Sequence, residues 1–159
     1  MRRSNYTLLY IYIGLLGVFL TCLSCDRETV YSRYQHVSIT GWEKNDAISY
    51  EIAPLKENGT FQKSVGIRIS NDFPFMGITL IIDQTVFPAM ESRSDTLSCN
   101  LIDKEGNAIG KGITLFQYNF PIDTITLHKG DSLSIRIHHD MKREILPGVA
   151  DIGITLTKQ

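Results

Sequence analysis

The stretch Asp131–His138, "DSLSIRIH", puts Leu133, Ile135 and Ile137 on one side of the chain and Ser132, Ser134 and Arg136 on the other. Successive side chains of an extended backbone point to opposite faces, so an apolar period of two is the mark of a half-buried β-strand; a helix would repeat every three to four residues. The same alternation recurs upstream in "AISYEIA" (Ile48, Tyr50, Ile52) and "SVGIRIS" (Val65, Ile67, Ile69), and downstream in "DIGITLT" (Ile152, Ile154, Leu156). "MGITLIID", residues 76–83, is more continuously apolar, as a strand in the middle of a sheet or covered on both faces would be. Between these runs lie "KENGT", "NDFPF", "DKEGN", "HKGD" and "LPGV", which supply the Gly, Pro, Asn and Asp that tight reversals need. Eight or nine short strands so spaced predict an all-β fold, an antiparallel sandwich or jelly roll. One short helical turn is expected in "DMKREIL", residues 140–146, where Asp140 could cap, Met141 and Ile145 lie a turn apart and Pro147 stops continuation.

The N-terminus reads differently. "MRRSNYT" carries Arg2 and Arg3 and no acid, and Leu8–Leu20 is a run of 13 apolar or Gly residues, too short to span a bilayer comfortably. A basic start followed by a short apolar run is a secretory leader. It ends at "LSC", residues 23–25, which resembles the lipobox of bacterial lipoproteins, in which the cysteine is acylated and becomes the new N-terminus. Cys25 is therefore the expected lipidation site, palmitate-type acylation the expected modification, and Cys22 a competing position. The chain divides into a leader (1–24), a lipidated polar tether (25–33) and a single sandwich domain (34–159). One domain of this length buries about two thirds of its unfolded surface.

Without the leader's two arginines, 14 Lys and Arg face 17 Asp and Glu, with no long run of either sign. An extended phosphate-binding surface has nothing to rest on, so nucleic acid is not an expected partner. Three cysteines cannot form a disulfide framework. Cys99, in "TLSCNLI", shares a strand face with Leu97 and Leu101 and is expected to be a buried, inert thiol. "IHHD", residues 137–140, offers two imidazoles and a carboxylate, but adjacent strand residues diverge: His139 should face inward with Ile137, and His138 outward. No nucleophile elbow, phosphate-binding glycine loop or zincin motif occurs in the sequence. The expectation is a noncatalytic protein with no cofactor, no metal and no small-molecule substrate.

Several short motifs fall in an ordered series: "VYSRYQ", "GWEKNDAISYEI", "IRISNDFPF", "DTLSCNLIDKEGNAIGKG" and "DMKREILPGVADIGI". Their most specific parts are Asp95-Thr96-Leu97, then Leu101, Asp103, Gly106, Gly110 and Gly112, and last Met141 before a basic residue, Leu146, Gly148, Asp151 and Gly153. From Val30 to Leu156 the chain resembles the gliding-motility lipoprotein family GldH of Bacteroidetes. The resemblance implies a lipid-anchored protein of the bacterial cell envelope associated with the gliding apparatus; the outer membrane is expected rather than the inner, with other envelope proteins as expected partners. Family members also occur in bacteria that do not glide.

Candidate surface residues follow from the strand pattern. Arg68 lies opposite Ile67 and Ile69 and is followed by Asp72, Phe73 and Phe75; an exposed Arg beside aromatics is enriched at protein interfaces. Trp42, after Gly41, is read first as a plug of the core or sheet edge and second as a platform for a partner. Arg143 and Asp151 are expected close together at the loop end of the sandwich, either as part of an interaction surface or as a surface ion pair. Thr96, Thr124 and Ser132, each after an Asp and before an aliphatic residue, resemble acceptors of general O-glycosylation in Bacteroidetes. The second function class is a surface lipoprotein whose sandwich binds glycan, which would gather Trp42, Phe73, Phe75 and Tyr118 in one exposed group.

Overall fold

The computed structural model describes residues 28–159. The leader, Cys22, Cys25 and the start of the tether lie outside the described residues. Ten strands follow in order: β1 (Thr29–His36), β2 (Trp42–Glu43), β3 (Ile48–Ile52), β4 (Gly59–Ser70), β5 (Gly77–Phe87), β6 (Glu91–Asn100), β7 (Leu115–Leu127), β8 (Ser132–His139), β9 (Ile145–Leu146) and β10 (Val149–Lys158).

The pairing is nested: β1 with β10, β3 with β8, β4 with β7 and β5 with β6, all antiparallel. This is a long hairpin folded back on itself, the jelly-roll connectivity. It yields two four-stranded sheets, β1-β10-β4-β7 and β3-β8-β5-β6, with a small β2-β9 ribbon beside them. The inner faces hold the side chains that alternation assigned to them. Ile48, Tyr50, Ile52, Val65, Ile67, Ile69, Leu133, Ile135, Ile137, Ile152, Ile154 and Leu156 are all buried in one core. Each aliphatic side chain so buried favours folding by roughly 1.5–3 kcal/mol. Tyr50 spans the core and donates its hydroxyl to the Ile152 carbonyl (2.7 Å); burial, helped by the neighbouring Tyr31, Tyr34 and Asp151, pushes its pKa up. Residues 77–83 of the apolar run fall in β5, a middle strand between β8 and β6, while Met76 stays in the preceding connection.

Two expectations are corrected. Residues 140–146 form no helical turn: Ile145-Leu146 pair instead with Trp42-Glu43 as β9. The carbonyls a helix would need are taken by the facing segment, Glu144 by the Lys44 amide (2.8 Å) and Met141 by Lys44 Nζ (3.1 Å). Met141 turns back onto the core, its sulfur accepting from the Thr79 amide (3.4 Å). The tether is also shorter than 25–33, since Thr29–Arg33 already pair with β10. Their polar character is that of an edge strand with one face in water.

The strands alternate in direction, so connections alternate between ends. The chain enters at Thr29, at the end that also holds the short turns 53–58, 88–90 and 128–131; the other end collects 37–47, 71–76, 101–114 and 140–148.

Candidate interaction surface

The outer face of the β1-β10-β4-β7 sheet carries one polar row in strict register: His36, Asp151, Arg68 and Gln117, one from each strand. Asp151 accepts from His36 Nδ1 (3.3 Å) and lies 3.6 Å from an Arg68 terminal nitrogen. Arg68 Nε donates to Gln117 Oε1 (3.2 Å), and Gln117 Nε2 donates to the Tyr34 hydroxyl (3.3 Å). The guanidinium sits 4.2 Å from the Tyr34 ring centroid. Tyr34 reaches across the sheet because the next two positions of its own row are Gly153 and Gly66, where an added Cβ would come within 2.6 Å and 2.0 Å of its ring and hydroxyl. Arg68 is thus aligned by a carboxylate, an amide and an aromatic ring together.

This settles where the sequence-derived residues lie. Arg68 and Asp151 come together, and Asp151 takes Arg68 and His36 as partners in place of Arg143. Arg143 is exposed in the 140–148 connection and has no ion-pair partner among the described residues. Phe73 and Phe75 are half-buried and pack edge-to-face on each other, ring centres 5.4 Å apart. Trp42 is fully buried and so forms no part of an exposed surface. Its indole donates to the Asp46 carbonyl (2.7 Å), and its ring meets His139 edge-on at 5.2 Å. Tyr118 is buried as well, so these four aromatics do not form one exposed group.

His139 faces inward and His138 outward, where His138 lies 3.9 Å from Asp83. Both nitrogens of His139 are used: Nδ1 accepts from the Met141 amide (3.4 Å), leaving Nε2–H to donate to the Trp42 carbonyl (3.1 Å). Burial lowers its pKa and keeps the ring neutral. Cys99 is a buried free thiol whose pKa is pushed up to about 12 by burial. Thr96 and Thr124 are exposed on β6 and β7, while Ser132 is half-buried at the start of β8.

Sequence reasoning missed an ionic cluster between the sheets. Lys63, 1% exposed, binds Asp123 (2.7 Å) and the Gln84 side chain; Arg93 bridges Asp123 (3.0 Å) and Asp95 (2.8 Å). A bulge in β7 aims Asp123 inward: Gln62 faces Thr124 and Ser64 faces Pro121, so Ile122 and Asp123 together oppose Lys63. A signal was present, because Lys63 falls in phase with Phe61, Val65, Ile67 and Ile69.

The loop end has a different chemistry. Of the large apolar side chains most open to water, Ile39 (95%), Ile113 (87%) and Met76 (71%) lie in its connections, with Ile109, Leu115 and Ile145 beside them. Arg143 and Lys142 add positive charge there. The 101–114 connection is held in shape by Asp103, whose carboxylate accepts from the Asn107 amide (2.8 Å) and the Glu105 amide (3.0 Å); these bonds lower its pKa.

The fold defines an antiparallel jelly-roll sandwich with an ordered polar sheet face and an apolar loop end. Within that class the chain belongs to the GldH lipoprotein family, whose pattern matches residues 29–156. No curated protein matches the chain. Among solved structures it is similar to a family GH115 4-O-methyl-alpha-glucuronidase, BtGH115A, at 15% identity and TM-score 0.44, over 85% of this chain and 18% of that one. It is also similar to the Cry4Aa toxin of Bacillus thuringiensis (9% identity, TM-score 0.45, 79% of this chain, 21% of the toxin). A family 35 carbohydrate binding module from Clostridium thermocellum matches at 14% identity and TM-score 0.38, over 77% and 86% of the two chains. Likenesses this loose carry no argument about function.

Proposed function

We propose that this chain is a noncatalytic, lipid-anchored protein of the bacterial outer membrane that docks other envelope proteins, in assemblies related to gliding motility, through the loop end of its sandwich. Acylated Cys25 anchors it, and stable attachment takes two or more acyl chains. The observation that carries the reading is polarity: the chain enters at one end, and Ile39, Met76 and Ile113 are exposed at the other. Exposed apolar side chains rimmed by charge suit a protein contact, with Arg143 steering association and Arg68 fixing the adjoining sheet face.

The test is co-purification from intact membranes of the native chain and of Ile39→Asp, Ile113→Asp and Arg143→Glu, with melting temperatures measured alongside. Lower recovery of the same partners at unchanged stability is expected. Normal recovery for all three removes the loop end as the interaction surface. Cys25→Ala should abolish acyl incorporation; label persisting at Cys22 would move the anchor there.

A further inference from the structure

A pocket of about 310 Å³ opens at the end where the chain enters, between the start of β1 and the 53–58 turn. Its walls are largely apolar, with Val30, Ile52, Ala53, Pro54, Leu55 and Phe61, and Glu28, Lys56 and Glu57 lie at its polar margin. Tyr31 is also part of the wall, and its hydroxyl is buried with no hydrogen-bond partner. The pocket falls in the gap between the β1 and β3 edges, where no backbone ladder closes the sandwich. Its volume is at the small end of the range that natural ligand sites occupy.

We infer that this pocket holds one acyl chain of the lipid carried by this chain's own Cys25, an inference that rests on the lipid anchor proposed above. The argument is one of reach and chemistry. Glu28 is a lining residue, and Cys25 precedes it by three positions, so the cysteine cannot be more than roughly 10 Å from the pocket's edge. The occupant must be mostly hydrocarbon to suit the aliphatic walls. An acylated cysteine also carries ester and amide carbonyls, which are acceptors of the kind the buried Tyr31 hydroxyl lacks. A chain lodged here would fix the sandwich's base against its anchor and orient the loop end away from the bilayer.

The test uses the full chain in cells fed a long-chain fatty acid bearing a photoreactive diazirine at its far end. A tail lying in the bilayer places that group among lipids, whereas a tail in the pocket places it against protein. After irradiation and digestion, we expect label at Cys25 and protein adducts concentrated on residues 52–61. Ala53→Phe fills the pocket and should keep the label but lose the adducts. Val30→Phe, on the opposite wall, gives the same readout should Ala53→Phe fail to fold, as judged by circular dichroism. Label at Cys25 with adducts only to lipid, or adducts that persist in both filled variants, overturns the pocket assignment while leaving the anchor intact. Absence of label from every cysteine would overturn the anchor itself, and the pocket assignment with it.

Discussion

Removing either half of the Lys63–Asp123 pair is expected to have unequal effects. Lys63 is 1% exposed, and its ammonium has two partners, Asp123 and Gln84. Asp123→Asn removes the only anion paired with that ammonium among the described residues and leaves a buried positive charge on two neutral amides; such a loss costs about 3–5 kcal/mol. Lys63→Met keeps the aliphatic stem, and although it leaves Asp123 Oδ1 buried without its cation, the carboxylate retains Arg93 at 3.0 Å through Oδ2. Its cost should be about 1–2 kcal/mol, since replacing a buried charge by a well-packed apolar side chain is often tolerated. The double substitution leaves no buried ammonium and should be less costly than Asp123→Asn alone. The assay is urea unfolding of the mature chain, followed by circular dichroism, with the denaturant slope checked for constancy. A ranking with Lys63→Met at or above Asp123→Asn, or an additive double variant, would refute the assignment of Lys63 as a charged group held by Asp123.

Two further outcomes follow from the geometry. Burial lowers the His139 pKa below its ordinary 6.5, so the unfolded chain binds a proton more readily than the folded one. Its contribution is therefore complete above the unfolded pKa and is lost as pH falls through 6.5 toward the lower folded value; melting from about pH 7.5 to about pH 5.5 should show the decline, and His139→Gln should flatten it. Gly148 has φ +80°, and a Cβ there would meet the Phe73 amide nitrogen at 2.5 Å, whereas Gly106, at φ +89°, has nothing within 4 Å. Gly148→Ala should cost more than about 2 kcal/mol in urea unfolding and Gly106→Ala only about 1, the strain of a left-handed residue without a clash; equal costs would show that Phe73 yields freely.

The strands were legible where one face is buried and the other wet, because burial writes a period of two into the sequence. Residues 29–33 of β1 read as tether because Ser32 and Arg33 are exposed and as polar as linker residues, and an edge strand needs little apolar content. The 140–146 segment has helical spacing, yet its backbone is claimed by Trp42–Lys44, nearly a hundred residues earlier. No local pattern encodes such a pairing. The candidate surface was half legible for the same reason. Alternation could put Arg68 on the outer face, but only the register of three strand pairs shows that His36, Asp151 and Gln117 share its row.

Nested pairing has a functional consequence that individual residues do not. A strand that enters at one end forces each connection after β1, β4, β6 and β8 to the opposite end. The connections at the end where the chain enters are short, which suits reversals that only close hairpins; those at the far end include the long 101–114 segment and the β2-β9 ribbon. Length and exposed aliphatics therefore accumulate where they do nothing for the core. Ile39 and Ile113 gain nothing from the fold they are attached to, and water opposes their exposure. Under the docking role proposed above, these two apolar side chains are the ones a partner would cover after folding. The polar row around Arg68 lies on the sheet leading to that end, so on the proposed reading one partner would meet both. Substituting Ile113 and Arg68 together should change recovery by an amount that departs from the sum of the two single changes if they belong to one continuous surface, whereas a simple sum would mark two independent ones.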